Sequence, residues 1–159
     1  MDTQLILGLL LTIAPIFELR VGLPIVLEYV ITNSLPILPW FVLVVILNCL
    51  AILLAWFFLD FIHWELLRLK SYRKISKKYL DKIRKQGDRL EATMGKWIYV
   101  ALVFFVAIPM TGTGAWTGGA LTWMLGLDKK YSFIALSIGI LIAGLIMLGF
   151  SLSVLGFVK

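Results

Sequence analysis

The sequence has a single cysteine, Cys49, and a single histidine, His63, among its 159 residues. One cysteine excludes a disulfide inside the chain. A lone histidine without acidic or thiol neighbours does not provide the ligand set that a transition metal requires, so we expect His63 to be solvated. No second carboxylate stands beside Glu18, and no nucleophile has a base nearby. We therefore predict that the protein is not an enzyme and that it holds no metal or cofactor.

Charged residues are scarce as well, at 15% of the chain, and long apolar runs fill most of the rest. The hydrophobic fraction is 61% and the mean hydropathy is +0.98, whereas soluble domains are roughly 45–50% apolar. The composition indicates an integral membrane protein with room for one compact membrane domain, residues 1–159. The N-terminus lacks a basic stretch and a convincing cleavage site, so we expect no signal peptide.

Two charges, Glu18 and Arg20, stand inside apolar sequence that would otherwise be membrane-buried. A charge at the bilayer centre is costly unless it is paired or faces a watery cavity, which makes both residues candidates for a functional site. Nearby prolines remove backbone donors, and the carbonyls that this frees must be buried in protein or line a cavity. We assign the breaks in this segment to Pro15, Gly22 and Pro24.

A second interrupted stretch begins at Pro109 and contains glycines and hydroxyls instead of charges. When Pro15 is laid on Pro109, the next long apolar run of the first half, which starts at Ile37, falls on Tyr131. Paired breaks at corresponding places in two halves point to a transporter site near the membrane midplane. Pro109 is the predicted break, and the candidate site residues here are Thr111, Gly112, Thr113, Gly114, Trp116 and Thr117.

The apolar segments differ in length. Thr3–Phe17 and Trp97–Pro109 would be helices of about 22 and 20 Å, which is too short for a core of roughly 30 Å, whereas Ile37–Asp60 and Tyr131–Val158 can span it. The sequence therefore predicts an all-α integral membrane fold of two inverted repeats, each a re-entrant helical hairpin plus a spanning helix. The repeats cover residues 1–63 and 97–159. Within the hairpins we expect new helices to start near Pro24 and Ala115.

Residues 64–96 form a basic amphipathic connector with eleven Lys and Arg against four Asp and Glu, a net charge of +7. Basic excess in a short loop marks the cytoplasmic side, and anionic lipid headgroups are the expected partner rather than nucleic acid. We expect breaks in this helix at Gly87 and Gly95. If the interrupted segments are re-entrant, Lys129 and Lys130 join the cytoplasmic side and both termini lie outside. If all four segments span, these lysines lie opposite the connector.

Asn48 is the strongly polar residue of the first long run, and we expect it to bond unpaired backbone at a hairpin tip or to serve packing alone. Arg20 offers a planar fork of donors suited to carboxylate or phosphate. Glu18 could carry a proton, or it could pair with Arg20 as a structural lock; the two share a face only if the chain there is extended. Trp116 is expected to pack at the tip rather than to stack on a substrate.

Two motifs occur in order along the chain: Pro15-x-x-Glu18-Leu19-Arg20-x-Gly22-x-Pro24 and the run from Pro109 to Gly118. In these motifs the sequence resembles the putative small multi-drug export protein family, which is distantly related to the DedA/VTT membrane proteins. The resemblance implies inverted repeats and a transport role. DedA relatives are associated with lipid-carrier translocation, which implies an amphiphilic phosphate as one cargo. The second stretch departs from the DedA pattern because it has no arginine.

The residues and the resemblance together predict a small membrane transporter or lipid-carrier translocase with a midplane site between two hairpin tips, proton-coupled through Glu18. The expected cargo is an amphiphilic or anionic small molecule. A homodimer is expected, because two hairpins and two spanning helices leave a thin wall around a site. The alternative is a non-transporting scaffold in which Glu18 and Arg20 form a structural ion pair.

Overall fold

The computed structural model describes the backbone of residues 3–110 and 112–158. It describes the side chains of the same residues except those at 70–72, 74–78 and 155–158. All regular structure in these ranges is α-helical, as expected. The helices are α1 (Thr3–Ile13), α2 (Glu18–Thr32), α3 (Ile37–Leu66), α4 (Lys70–Met94), α5 (Trp97–Ala107), α6 (Ala115–Leu125) and α7 (Lys129–Val158).

Helices α3 and α7 have 30 residues each, about 45 Å at 1.5 Å per residue. Within the described ranges these are the two helices long and apolar enough to cross a membrane. A third span results if α5 and the later part of α4, which meet at a bend of 108°, are counted as one. Helix α3 runs six residues beyond the predicted end at Asp60. Asp60 is exposed on the helix surface, and the largely apolar residues that follow it continue the same helix.

The outward faces of α3 and α7 expose large apolar side chains, as expected of helices that contact lipid. These include Leu38, Val42, Ile46, Leu50, Phe57, Phe61, Ile134, Ile138, Leu145 and Phe150. The inward faces pack on α2 and α6 around a core that includes Leu23, Leu27, Ile52, Leu136 and Ile140.

The two short helices α1 and α5 correspond closely. Each has 11 residues, and they begin at Thr3 and Trp97, which are 94 positions apart. Each is about 16 Å long, so neither can cross a core of roughly 30 Å by itself. An irregular segment follows each of them, residues 14–17 after α1 and residues 108–114 after α5, and then α2 or α6 begins.

The expected restart at Ala115 is confirmed, whereas the expected restart at Pro24 is wrong. Helix α2 begins at Glu18 and runs through both Gly22 and Pro24, so these two residues are not breaks. Pro24 removes the bond that its amide would donate to the carbonyl of Arg20, and the helix continues past that one loss. Pro15 does lie in the irregular segment.

Gly22 serves the packing of α1 against α2. A Cβ at this position would lie 2.1 Å from the Thr12 hydroxyl and 2.7 Å from the Gly8 carbonyl oxygen. The two helices therefore approach so closely that no larger side chain fits between them. The glycine that we interpreted as a break is instead a packing site within a continuous helix.

In each helix pair, the two ends that are remote from the irregular segment, which we call the outer ends, lie at the same end of the pair. At the outer end of α1 and α2, the Gln4 amide donates to the Glu28 carboxylate across 3.2 Å. For α5 and α6 both outer ends lie on α4: Tyr99 donates to Glu91 across 2.8 Å, and the Leu125 carbonyl packs against Gly87. Each pair thus turns back at its irregular segment.

The two pairs differ in how they pack. Helix α1 packs mainly against α2, its own pair partner, whereas α5 packs mainly against α7 and contacts α6 only slightly. The irregular segment between α5 and α6 is also longer than that between α1 and α2. The second pair is therefore more open than the first.

Helix α4 corresponds to the basic connector and is continuous through Gly87, so the break expected there is wrong. A Cβ at position 87 would lie 2.1 Å from the carbonyl oxygen of Leu125, which explains the glycine by close packing on α6. The second expected break, at Gly95, is confirmed: this residue has φ +53° and follows the last residue of α4.

Trp56 belongs to the core, although its place in the sequence indicates otherwise. Its position near the end of the first long run is typical of an interfacial aromatic, but only 6% of the residue is exposed. Its indole N–H donates to the Gly119 carbonyl across 2.9 Å, so it ties α3 to α6. Trp64, by contrast, is 70% exposed, as an interfacial tryptophan should be.

Candidate functional site

Glu18 joins the two halves of the chain. Its carboxylate is buried and accepts hydrogen bonds from the backbone N–H groups of Ala115 (3.1 Å) and Trp116 (3.0 Å). These are the first two residues of α6, whose amides have no acceptor within the helix. Glu18 therefore caps the N-terminus of α6 from 97 residues away, where a negative charge is also favoured by the helix dipole.

The backbone of Glu18 is unusual, because its φ is +49°, in the left-handed region that non-glycine residues rarely adopt. The residue follows the irregular segment 14–17 directly and begins α2. Such conformations persist only where surrounding contacts hold them. Here the two hydrogen bonds to α6 hold the side chain.

Gly114 provides the space for this carboxylate. A Cβ at position 114 would lie 1.3 Å from Oε2 of Glu18 and 2.2 Å from its carboxyl carbon. No other residue type fits beside the carboxylate, so the glycine in the second motif is explained by the acid in the first. The two motifs are complementary in shape as well as in charge.

Arg20 makes a second connection between the motifs. Its guanidinium donates to the Thr113 hydroxyl across 3.0 Å. That hydroxyl has one proton to donate and two carbonyl acceptors within reach, Ile108 at 2.8 Å and Met110 at 2.9 Å. Arg20 is thus linked through Thr113 to the backbone of the irregular segment that follows α5.

Glu18 and Arg20 do not form the ion pair that we considered from the sequence. Among the described residues the ion pairs are Arg68 with Glu65 and Lys129 with Asp60. The Glu18 carboxylate accepts from the amides of Ala115 and Trp116, whereas the Arg20 guanidinium donates to the Thr113 hydroxyl. Each side chain contacts the second motif separately.

Two side chains complete the C-terminal end of α1. The Asn48 amide donates to the Thr12 carbonyl across 2.9 Å, and the Trp116 indole N–H donates to the Ile13 carbonyl across 2.8 Å. Of the two roles that we considered for Asn48, the structure therefore shows the hydrogen bond to backbone, here at the end of α1. The Trp116 ring also packs edge-on against Phe58, which agrees with a packing role.

Two further sequence candidates lie outside this cluster. Thr117 and Gly112 are exposed, and Gly112 has φ +89°, which suits a glycine in an irregular segment. Thr111 lies outside the described residues. Pro109 lies in the irregular segment after α5.

A cavity of about 10 Å³ lies between the two motifs, roughly the room that one water molecule needs. Its polar lining comes from Glu18, Arg20, Asn48 and Thr113, and Val106 and Ile140 are among its apolar walls. In this conformation the space between the tips is too small for an organic molecule.

Sequence reasoning missed a second polar cluster, near α4. The Asp60 carboxylate accepts from the Trp123 indole at 2.5 Å and from the Lys129 ammonium at 3.0 Å. The available signal was an acid placed at the end of a long apolar run. No group of His, Cys, Asp and Glu that could hold a metal was found in the described part of the chain.

Comparison with known families gives one match. The model of the family described as putative small multi-drug export protein covers residues 18–146, most of the chain, including the first motif from Glu18 onward, the second motif and the connector. No curated protein and no solved structure matches the chain. The family and the long apolar helices agree on a membrane protein with transmembrane helices, and they suggest transport rather than enzymatic catalysis.

Proposed function

Since the chain belongs to the putative small multi-drug export protein family, we propose that it is a transporter whose substrate passes between the two helix-pair tips. The observation that carries this proposal is the bond of the buried Glu18 carboxylate to the N-terminal amides of α6. This bond joins the two halves through one titratable group. Because a carboxylate loses its charge when it gains a proton, Glu18 can also release the two halves.

The proposed architecture is an inverted repeat of 1–63 and 97–159 with two re-entrant hairpins. Its support is that α1 and α5 are too short to span and that each pair turns back at its tip. In this arrangement the protein crosses the cell membrane with α4 on the cytoplasmic side and with both termini outside. The basic connector then faces anionic lipid headgroups.

The proposed mechanism begins from the closed state. While Glu18 is ionised, two charge-assisted bonds hold α6 against α2. Protonation removes the charge and weakens both bonds, so the tips separate and the site opens. Opening also frees Arg20 from Thr113, and its guanidinium can then bind a carboxylate or a phosphate. Substrate movement is in this way coupled to a proton at Glu18.

The cargo that suits this site is an anionic or amphiphilic small molecule. Arg20 provides the charge, Thr113 and Asn48 provide further polar groups, and Gly112 and Gly114 allow backbone to approach a ligand. Thr111, Trp116 and Thr117 complete the proposed lining once the tips part. The proposal includes a homodimer, because two helix pairs and two spanning helices leave a thin wall around the site.

Replacement of Glu18 by Gln tests the proposal, with Glu28→Gln as the control because Glu28 is an exposed carboxylate on the same helix. Purified variants in proteoliposomes would be assayed for efflux of a fluorescent anionic amphiphile driven by a pH gradient. We expect Glu18→Gln to remain folded and to lose pH-driven efflux, while Glu28→Gln behaves as wild type.

The scaffold alternative is favoured by one observation, the closed site with room for a single water. In a scaffold, Glu18 holds the halves together permanently. Glu18→Gln would then lower the unfolding midpoint in detergent, and wild-type vesicles would show no more efflux than empty ones. Efflux by wild-type vesicles that is independent of the pH gradient would instead contradict the coupling while leaving transport intact.

A further inference from the structure

A second cavity, which we call the α4-side cavity, lies at the end of the molecule opposite the outer ends of α1 and α2. It has a volume of about 350 Å³ and is lined by Trp56, Asp60, Arg84, Trp123, Leu127 and Lys129, among others. This volume falls in the range of small-molecule sites, roughly 300–1,000 Å³. It is also far larger than the cavity at Glu18.

The charges around the α4-side cavity do not balance. Asp60 and Lys129 neutralise each other through their ion pair, and the Trp123 indole donates to the same carboxylate. The third charged group is Arg84 of α4. Among the residues that the structure describes, Arg84 has no hydrogen-bonding or ion-pair partner, although Asp81 and Asp88 lie three and four residues away on its helix. One positive charge therefore faces the cavity uncompensated.

The position of Arg84 is fixed by Gly126. This glycine follows α6 with φ +71°. The Cγ, Cδ and Nε atoms of Arg84 lie 3.3 to 3.8 Å from the point where a Cβ at position 126 would stand. The arginine stem thus crosses the glycine, and Arg84 is one of the residues that line the cavity.

The other walls are apolar. The rings of Trp56 and Trp123 and the side chain of Leu127 line the cavity beside the charged groups. Indole rings offer a flat apolar surface next to a polar edge, which suits molecules that combine both characters. A guanidinium fork binds carboxylate and phosphate with two parallel hydrogen bonds.

We propose that the α4-side cavity binds the anionic head of an amphiphilic molecule, a phosphate or carboxylate on Arg84, with the adjoining apolar part against Trp56 and Trp123. The site is separate from Glu18, since Thr122 in its lining is seven residues along α6 from Ala115, about 10 Å. The proposal does not depend on transport, because binding is measured at equilibrium in detergent.

Calorimetric titration of the purified protein in a nonionic detergent tests it, with dioctanoyl phosphatidic acid as the probe and dioctanoyl phosphatidylcholine as the zwitterionic comparison. Arg84→Gln should weaken binding of phosphatidic acid about 10-fold or more, because it removes charge-assisted hydrogen bonds. Arg89→Gln is the matched control: it removes the same charge from the same helix at an exposed residue outside the lining. It should change the affinity less than about 2-fold.

Asp60→Asn should change the affinity for phosphatidic acid in the opposite direction from Arg84→Gln. It removes the negative charge and frees Lys129, so it should strengthen binding of phosphatidic acid several-fold. Equal losses in Arg84→Gln and Arg89→Gln would overturn the proposal, since they would indicate a diffuse basic surface. Equal affinity for the two lipids would also overturn it. Competition by millimolar inorganic phosphate would identify the site as one for the free anion as well, and lack of competition would restrict it to lipid headgroups.

Discussion

The carboxylate of Glu18 occupies the space in which a side chain at position 114 would have to begin. The acid and the glycine lie in different halves of the chain, and the fold brings them into contact where the two irregular segments meet. Neither residue can be changed without effect on the other. This relationship makes the junction between the halves open to direct experimental test.

Gly114→Ala should destabilise the protein by about 2 kcal/mol or more. The new methyl group displaces the Glu18 carboxylate, so two buried amides and one charge lose their partners. Gly149→Ala is the control, because nothing lies within 4 Å of a Cβ there. Thermal unfolding in detergent, followed by circular dichroism, measures the difference. Equal midpoints for the two variants would contradict the described contact.

Asn48→Ala should lower the free energy of unfolding by about 0.6 to 2 kcal/mol, the range for hydrogen bonds between membrane helices. The substitution removes the donor to the Thr12 carbonyl at the end of α1. Asn33→Ala is the comparison, since that amide bonds Tyr29 at an exposed turn. Unfolding in mixed micelles of increasing dodecyl sulfate provides the measurement. A larger loss for Asn33→Ala would be inconsistent with the structure.

Trp56→Phe should cost about 1 to 3 kcal/mol of stability, because the Gly119 carbonyl and the Thr122 hydroxyl lose a buried donor while the aromatic ring is kept. Trp64→Phe should have little effect, as this ring is 70% exposed. The unfolding midpoints of the two variants can be compared in the same detergent. If Trp64→Phe proves the more harmful, the assignment of Trp56 to the core is wrong.

Cysteine labelling tests the proposed membrane arrangement. In a Cys49→Ala background, a cysteine at Ser34 should react with an impermeant maleimide added to intact cells, while a cysteine at Lys130 should stay protected until the membrane is opened. Both sites lie at exposed helix ends. Re-entrant hairpins place the two positions on opposite sides. Labelling of both from outside would mean that all four apolar segments span.

The sequence predicted much of the helical order, since membrane helices must satisfy their backbone internally and apolar runs therefore mark them. The positions of α1, α3, α5, α6 and α7 follow from such runs and their interruptions. Prediction was weakest at Gly22 and Pro24. Their residue types indicate a break, but the tight packing of α1 on α2 requires the glycine, and the helix tolerates the proline.

The candidate site could be predicted only as a set of residue types. A hydrogen bond from Asn48 to unpaired backbone was one of two roles open from the sequence, because a buried amide in an apolar helix needs a partner, and only the structure shows that this partner is the Thr12 carbonyl. The bonds of Glu18 to Ala115 and Trp116 depend on where two distant segments meet, which local patterns do not contain. The same limit explains why the contact of Asp60 with Trp123 was missed.

Helix α1 ends on two carbonyls, those of Thr12 and Ile13, that accept from Asn48 and Trp116. During synthesis the first partner is made soon after α1, but the second is made only when the chain has grown by a further 103 residues beyond Ile13. The contact that completes the end of α1 therefore cannot form before the start of α6 has been made.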